Sequence, residues 1–207
     1  MTTPYYNADG IMIYCGDNRD VLPGLGTFDL LLTDPPYGIG FAAQPTDYQR
    51  LRGQKPERWD DQPADGDLLS LARKLAVKSI IRGGNYFLLP PSRCWLSWFK
   101  PDAPPSMGSV EFAWTNLGQN SRQIQQSIAA TNPERIGHPT QKPLRVMVWS
   151  IQQSGFSDGA VLDPWMGSGT TLVAAKLKGL RAVGIEINEN YCKLAVERLR
   201  QGVLIAA

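Results

Sequence analysis

The sequence predicts an α/β fold built on a parallel sheet, and two stretches carry the prediction. In the first, the apolar run Ala160-Val161-Leu162 ends in Asp163, and a glycine loop from Trp165 to Thr171 opens a helix. Ala182-Val183-Gly184-Ile185 then ends in Glu186, and Asn188 caps a last helix. Strand, helix, strand and helix in that order form a βαβα unit, whose right-handed crossover makes its strands parallel. In the second stretch, Phe28-Asp29-Leu30-Leu31-Leu32 reads as a buried strand that delivers Thr33-Asp34-Pro35-Pro36-Tyr37-Gly38.

The other elements follow in chain order. Ile11-Met12-Ile13-Tyr14 is a β-prone run after the turn Ala8-Asp9-Gly10, and Cys15-Gly16-Asp17 places a carboxylate at its carboxyl end. Asp20 to Leu25 predicts a short helix, broken by Pro23 and Gly24. Residues 38–66 are the least regular part of the chain and mix aromatics with the cations Arg50, Arg52, Lys55 and Arg58. A loop of that length beside a site reads as a lid that meets the substrate, the alternative being a solvated charged loop. From Asp67, a plausible N-cap, Leu68, Leu71, Ala72, Leu75 and Ala76 share one helical face. Ile80-Ile81 lead to Gly83-Gly84-Asn85-Tyr86-Phe87, another strand end with glycines at its tip. Cys94–Phe99 and Val110–Trp114 are strand candidates, and Asn116 to Gly137 is polar, with Arg122 and Arg135. A helix follows His138-Pro139-Thr140-Gln141-Lys142-Pro143, with Leu144, Met147, Val148 and Ile151 on one side. The helix after the glycine loop presents Val173, Leu177 and Leu180, and the last helix presents Tyr191, Leu194, Ala195 and Leu199.

Composition narrows the classes. A length of 207 and a hydrophobic content of 43% fit one globular domain with its own core, residues 1–207. No apolar run is long enough for a bilayer, and the first residues do not form a signal peptide. Cys15, Cys94 and Cys192 are odd in number and lack metal-ligand spacing, which suits a reduced, cytoplasmic protein without disulfides or zinc. With His138 the only histidine, a histidine dyad or metal cage is disfavoured, and no metal is expected. A net charge of +2 is nearly neutral, so any nucleic-acid contact must come from local clusters of cations.

Two motifs carry chemistry. Pro35 and Pro36 donate no backbone hydrogen bond and each fixes its own φ, so the segment after Asp34 is stiff. The Asp34 carboxylate and Pro35 carbonyl then form a rigid acceptor pair beside the flat ring of Tyr37. This arrangement suits a planar substrate with an exocyclic amino group; the plainer alternative is a strand-ending turn. The glycine loop lets backbone N–H groups approach a ligand at the electropositive end of a helix. A triphosphate site would need a lysine after the glycine, but Thr170 follows Gly169; a dinucleotide site would need a third glycine, where Leu172 stands. There remains a nucleoside without phosphates: Glu186, 23 residues beyond Asp163, would take ribose hydroxyls, and Asp163 an ammonium group. S-adenosylmethionine has those parts; an ordinary strand–helix turn is the alternative.

These motifs resemble those of the amino-directed DNA methyltransferases, which modify adenine N6 or cytosine N4. Asp34-Pro35-Pro36-Tyr37 matches the catalytic motif, Asp163 to Thr171 the cofactor loop, and His138 to Pro143 the segment before it, in the order of the permuted subgroup. Gly83 to Phe87 looks like phage and prophage members. The resemblance implies a Rossmann-like, mostly parallel seven-stranded sheet with helices on both faces and one reversed strand, the class I methyltransferase fold. It places Asp163, Pro164, Gly167, Ser168, Gly169 and Thr170 at the methionine part of S-adenosylmethionine. Glu186 goes to the ribose, Asp17 to the adenine, and Thr140 and Lys142 to the methionine carboxylate. A branched side chain at Gly169 is expected to intrude on that ligand. Double-stranded DNA is the implied partner, with the target base flipped out of the helix. Asp34 and Pro35 would hold the amino group, Tyr37 would stack on the ring, and Asn85, Arg122 and the cations at 50–58 would meet DNA. Aspartate as the first motif residue points to adenine, with cytosine N4 the alternative. Methylation of RNA or of a protein amide goes with asparagine there and with the unpermuted order, and a non-catalytic DNA-binding relative is a further reading. Larger relatives insert a long target-recognition region, for which only the segment at about 116–137 is available here.

Overall fold

A computed structural model describes residues 3–40, 60–105, 107–131 and 141–201. These residues build a nine-stranded sheet from β1 (Tyr6–Ala8), β2 (Ile11–Cys15), β3 (Phe28–Thr33), β4 (Ala76–Arg82), β5 (Trp95–Phe99), β6 (Val110–Thr115), β7 (Arg122–Gln125), β8 (Ala160–Asp163) and β9 (Arg181–Glu186). The strand order is β1-β2-β9-β8-β3-β4-β6-β5-β7. Strands β2, β9, β8, β3 and β4 are parallel, and β6 runs antiparallel to both β4 and β5. The seven strands from β2 to β5 therefore meet the expectation of one reversed strand. An antiparallel β1 and a parallel β7 extend the sheet at its two edges.

Period-two alternation sorts the strand residues between two cores. Leu30, Ile80 and Val161 point into one cluster, and Leu31, Ile81 and Leu162 into the other. Helices α4 (Leu144–Ser154), α5 (Thr170–Leu177) and α6 (Glu189–Arg200) cover the first face, through residues such as Met147, Leu172 and Ala195. Helices α1 (Asn18–Val21) and α2 (Gly66–Lys74) cover the second with Val21, Leu69 and Ala72. The short α3 (Ile128–Thr131) follows β7.

Three expectations need correction. Helix α2 starts earlier than predicted, because Asp65 and not Asp67 caps it, accepting from the Asp67 amide at 2.9 Å. It stops at Lys74 because Ala76 is already paired with Phe28 in the sheet. Helix α5 has no single apolar stripe: Thr170 to Ala175 are all buried, and Leu180 lies past the helix end. Part of the segment expected to read DNA belongs to the scaffold, since β7 pairs with β5 and Ile124 packs against Trp98 and Val146.

The topology gathers one edge. From β8 the chain winds through α5 to β9, and from β3 through α2 to β4 in the opposite direction, so the β8–β3 border is a topological switch point. The parallel strands end along this edge, and the reversed β6 begins there. No helix among the described residues is long and apolar enough to cross a membrane.

Candidate active site

A cavity of about 1190 Å³ opens along that edge, with Asp34, Tyr37, Glu111, Lys142, Asp163 and Glu186 among its lining residues. Its catalytic-motif wall is built by the turn after β3. Asp60, which is buried, accepts from the Tyr37 and Gly38 amides at 2.8 and 2.9 Å and fixes the turn. The Pro36 carbonyl is engaged by the Ala64 amide at 2.9 Å, whereas the Pro35 carbonyl accepts no hydrogen bond among the described residues. The stiff acceptor pair thus has one free carbonyl, that of Pro35. Gly83 has a φ of 62°, and a Cβ there would lie 2.1 Å from the Tyr37 ring. The glycine is what lets Tyr37 lie against the end of β4. Tyr86 stacks on the Tyr37 ring at 4.9 Å with an interplanar angle of 15°, so one aromatic face of the motif is covered.

Both oxygens of Asp34 have partners. The Tyr37 hydroxyl donates to Oδ1, and the Lys142 ammonium lies 2.6 Å from Oδ2. Burial and the neighbouring Asp34 charge raise the Tyr37 phenol well above its ordinary range. Lys142, expected at the carboxylate end of the cofactor, lies on the cavity wall between Asp34 and Glu111, with Glu111 Oε2 3.6 Å away. Burial works against the lysine charge, but Asp34, Tyr37 and Glu111 outweigh it and hold the ammonium above its ordinary pKa. Glu111 also accepts from Lys100 at 2.9 Å. Burial alone would raise its carboxyl, and the two lysines bring it down to about 2. The fully buried Arg82, beneath this group, donates to Ser150 at 3.0 Å. Sequence reasoning missed Asp60, Arg82, Lys100 and Glu111. A charged residue in or beside a strand has no periodic signature, and only the reversal of β6 brings Glu111 to this edge.

The glycine-loop wall holds three carboxyl groups in different surroundings. Asp163 is buried, and its Oδ1 accepts from Thr33 Oγ1 at 2.7 Å and from the Trp165 amide at 3.2 Å. Burial pushes its carboxyl up to about 7. A cationic ligand group beside it would restore the ionised form, so the site fits the ammonium of an amino-acid moiety. Glu186 accepts from the Gly167 amide at 3.1 Å and the Asn188 amide at 2.8 Å, which fixes it at the mouth. Asp17 caps α1 through the Arg19 amide at 2.8 Å and pairs with the Arg19 guanidinium at 3.0 Å.

The loop itself departs from expectation at Gly169. Its φ is 77°, and a Cβ there would lie 2.7 Å from Ala195 Cβ. The glycine makes room for helix α6, not for the cavity. Ser168 and Thr170 line the cavity, but both hydroxyls accept from Arg198 of α6, at 3.2 and 2.9 Å. Asp17, Pro36, Asn85, Pro164 and Gly167 also line the cavity, as the sequence led us to expect. Arg122 is exposed at the start of the edge strand β7 and does not line it. Arg50, Arg52, Lys55, Arg58, His138 and Thr140 lie outside the described residues.

Comparison with known proteins agrees with this geometry. Residues 89–197 match the N6_N4_Mtase family, described as DNA methylase. The type II methyltransferase M.ScaI of Streptomyces caespitosus is 27% identical, over 95% of this chain and 83% of that protein. The crystal structure of the M1.HpyAVI–SAM complex superposes with a TM-score of 0.65 at 22% identity, over 91% of this chain and 98% of that one. The cytosine-N4-specific PvuII DNA methyltransferase does so with a TM-score of 0.63 at 16% identity, over 100% and 91%. The chain belongs to the N6_N4_Mtase family of DNA methylases.

Proposed function

We propose that the protein transfers a methyl group from S-adenosylmethionine to the N6 amino group of an adenine flipped out of double-stranded DNA. The carrying observation is that Asp34 and Pro35 share one cavity with Asp163, Gly167 and Glu186. An acceptor pair for an amino group and a site for an amino-acid nucleoside thus face each other without an intervening wall.

When bound, S-adenosylmethionine supplies an electrophilic methyl group on a sulfonium. Asp163 holds its ammonium and Glu186 its ribose, and Asp17 closes the adenine end. The base's amino nitrogen is a poor nucleophile at rest, since its lone pair is delocalised into the ring. A carboxylate offers about four lone-pair sites, so Asp34 can accept one amino N–H while keeping Tyr37 and Lys142. The free Pro35 carbonyl accepts the other. Holding both N–H bonds out of the ring plane localises the lone pair and points it at the methyl group. Positive charge grows on the nitrogen as the N–CH3 bond forms and the S–CH3 bond breaks to leave a neutral thioether. Asp34 stabilises that charge more than it stabilises the ground state, and the methylated nitrogen then loses its extra proton to water. One preorganised partner of this kind is worth ~3 kcal/mol, about a hundredfold in rate. Tyr37 would stack on the flipped base, on the ring face that Tyr86, about half exposed, covers in the empty site. Asn85 and Arg122, with the cations at 50–58, are the proposed DNA contacts.

Tritium transfer from labelled S-adenosylmethionine to duplex DNA, followed by nucleoside analysis, tests the reading. N6-methyl-2′-deoxyadenosine is expected. Label only in N4-methylcytosine would replace the target base and leave the rest standing, and label in RNA or protein alone would refute the proposal. Cytosine N4 is kept as the second reading because the PvuII enzyme, named for that specificity, shares the fold.

A further inference from the structure

Lys142 has no task in the mechanism above, although it is buried on the wall where the base must sit. We propose that Lys142 is a specificity-determining residue that donates a hydrogen bond to the ring nitrogen beside the target amino group. Asp34 and Lys142 then read the amino–ring-nitrogen edge of the base as an acceptor–donor pair. This inference rests on the proposed reaction and concerns the same cavity.

Three observations support it. The ammonium and the Asp34 carboxylate lie 2.6 Å apart and both line the cavity, so an acceptor and a donor face it side by side. That spacing matches two neighbouring ring-edge groups, each reached by its own hydrogen bond. The ammonium is also held from behind, with Glu111 Oε2 at 3.6 Å and Glu111 itself anchored by Lys100 at 2.9 Å. Asp34 Oδ2 accepts one of the three ammonium donors and Glu111 Oε2, at 3.6 Å, is beyond hydrogen-bond reach, so among the described residues the ammonium keeps a donor for a ligand.

The chemistry gives the pair a purpose. A carboxylate alone recognises any amino group, including that of guanine. On the Watson–Crick edge, adenine and cytosine place an unprotonated ring nitrogen next to the amino group, and guanine places an N–H there. A fixed ammonium attracts the first two and repels the third, so the same residue supplies the favourable contact and the rejection.

The test uses duplexes carrying the site that the protein methylates in an expressing cell, with the target adenine replaced by 1-deazaadenine or 7-deazaadenine. For the wild-type protein, kcat/KM should fall roughly tenfold to a hundredfold with 1-deazaadenine, as for loss of one charged hydrogen bond. With 7-deazaadenine it should stay within a few-fold. In Lys142→Met the preference for adenine over 1-deazaadenine should vanish, while S-adenosylmethionine binding measured by calorimetry persists. Equal use of adenine and 1-deazaadenine by the wild-type protein would overturn the proposal, and this needs no variant to fold. So would a Lys142→Met protein that binds S-adenosylmethionine tenfold more weakly yet keeps the preference, since the lysine would then serve the cofactor carboxylate. Absence of methyl transfer to any DNA would instead sink the proposed function itself.

Discussion

Asp163→Asn should make the empty protein more stable, and by more at high pH than at low. Burial raises the Asp163 carboxyl from 3.8 to about 7. Between those values the folded chain keeps a proton that the unfolded chain has released. Stability therefore falls as pH rises through this window and is level above it. At about 1.4 kcal/mol per pH unit, the wild-type protein loses on the order of 4 kcal/mol across the window, ~3 kcal/mol of it above pH 5. Asparagine cannot ionise, and its carbonyl can replace Oδ1, which accepts both the Thr33 hydroxyl and the Trp165 amide. Urea unfolding of both proteins without ligand at pH 5 and pH 8 measures the effect, because other titrating groups cancel in the difference. The advantage of the variant should widen by about 3 kcal/mol between the two pH values. An advantage that stays constant with pH would show that Asp163 is ionised in the folded protein, and the argument from burial would be wrong. The same variant should bind S-adenosylmethionine more weakly at pH 8, since the charge that meets the ammonium is gone.

Asp34→Ala should leave S-adenosylmethionine binding nearly intact and abolish methyl transfer, a loss of about a hundredfold or more; an equal loss of binding by calorimetry would assign Asp34 to the cofactor. Gly169→Ala should destabilise the fold by roughly 1–3 kcal/mol in urea, from the overlap with Ala195 and a φ of 77°, and Ala195→Gly should recover part of that. Gly83→Ala should displace the Tyr37 ring, which lies 2.1 Å from the new Cβ, and should lower methyl transfer far more than it lowers S-adenosylmethionine binding. Unchanged kinetics in Gly83→Ala would show that Tyr37 need not lie where it does.

Sequence made the edge of the sheet legible because each parallel strand there ends in a residue that breaks its own pattern. Asp163 and Glu186 close apolar runs, and Asp34 leaves β3 ahead of two prolines. Local signals of that kind survive without tertiary information. The glycines were legible as glycines but not in their purpose: Gly169 admits helix α6 and Gly83 admits Tyr37, contacts between residues 26 and 46 positions apart. Asp60 and Glu111 lay beyond sequence reasoning for the same reason, each acting on residues brought near only by the fold. Polarity also misled at 116–137, where Arg122, Gln123 and Gln125 are exposed on an edge strand whose inner residue, Ile124, is core. One buried residue among polar neighbours is what an edge strand shows.

Stability does not explain the charges gathered at Asp34. A buried ion pair often contributes no more than an apolar pair of the same shape, because both ions lose their hydration. Here Lys142 and Lys100 alternate with Asp34 and Glu111, and Arg82 lies fully buried nearby. The chain would fold at lower cost without most of them. What the arrangement secures is an Asp34 side chain fixed on the cavity wall, with the Tyr37 hydroxyl on one oxygen and the Lys142 ammonium on the other. Preorganisation of that kind is useful only if the charge is needed at that place, since an acceptor that must shed water or rotate at the moment of reaction loses most of its advantage. The cluster is therefore better read as the support of a reacting group than as part of the core.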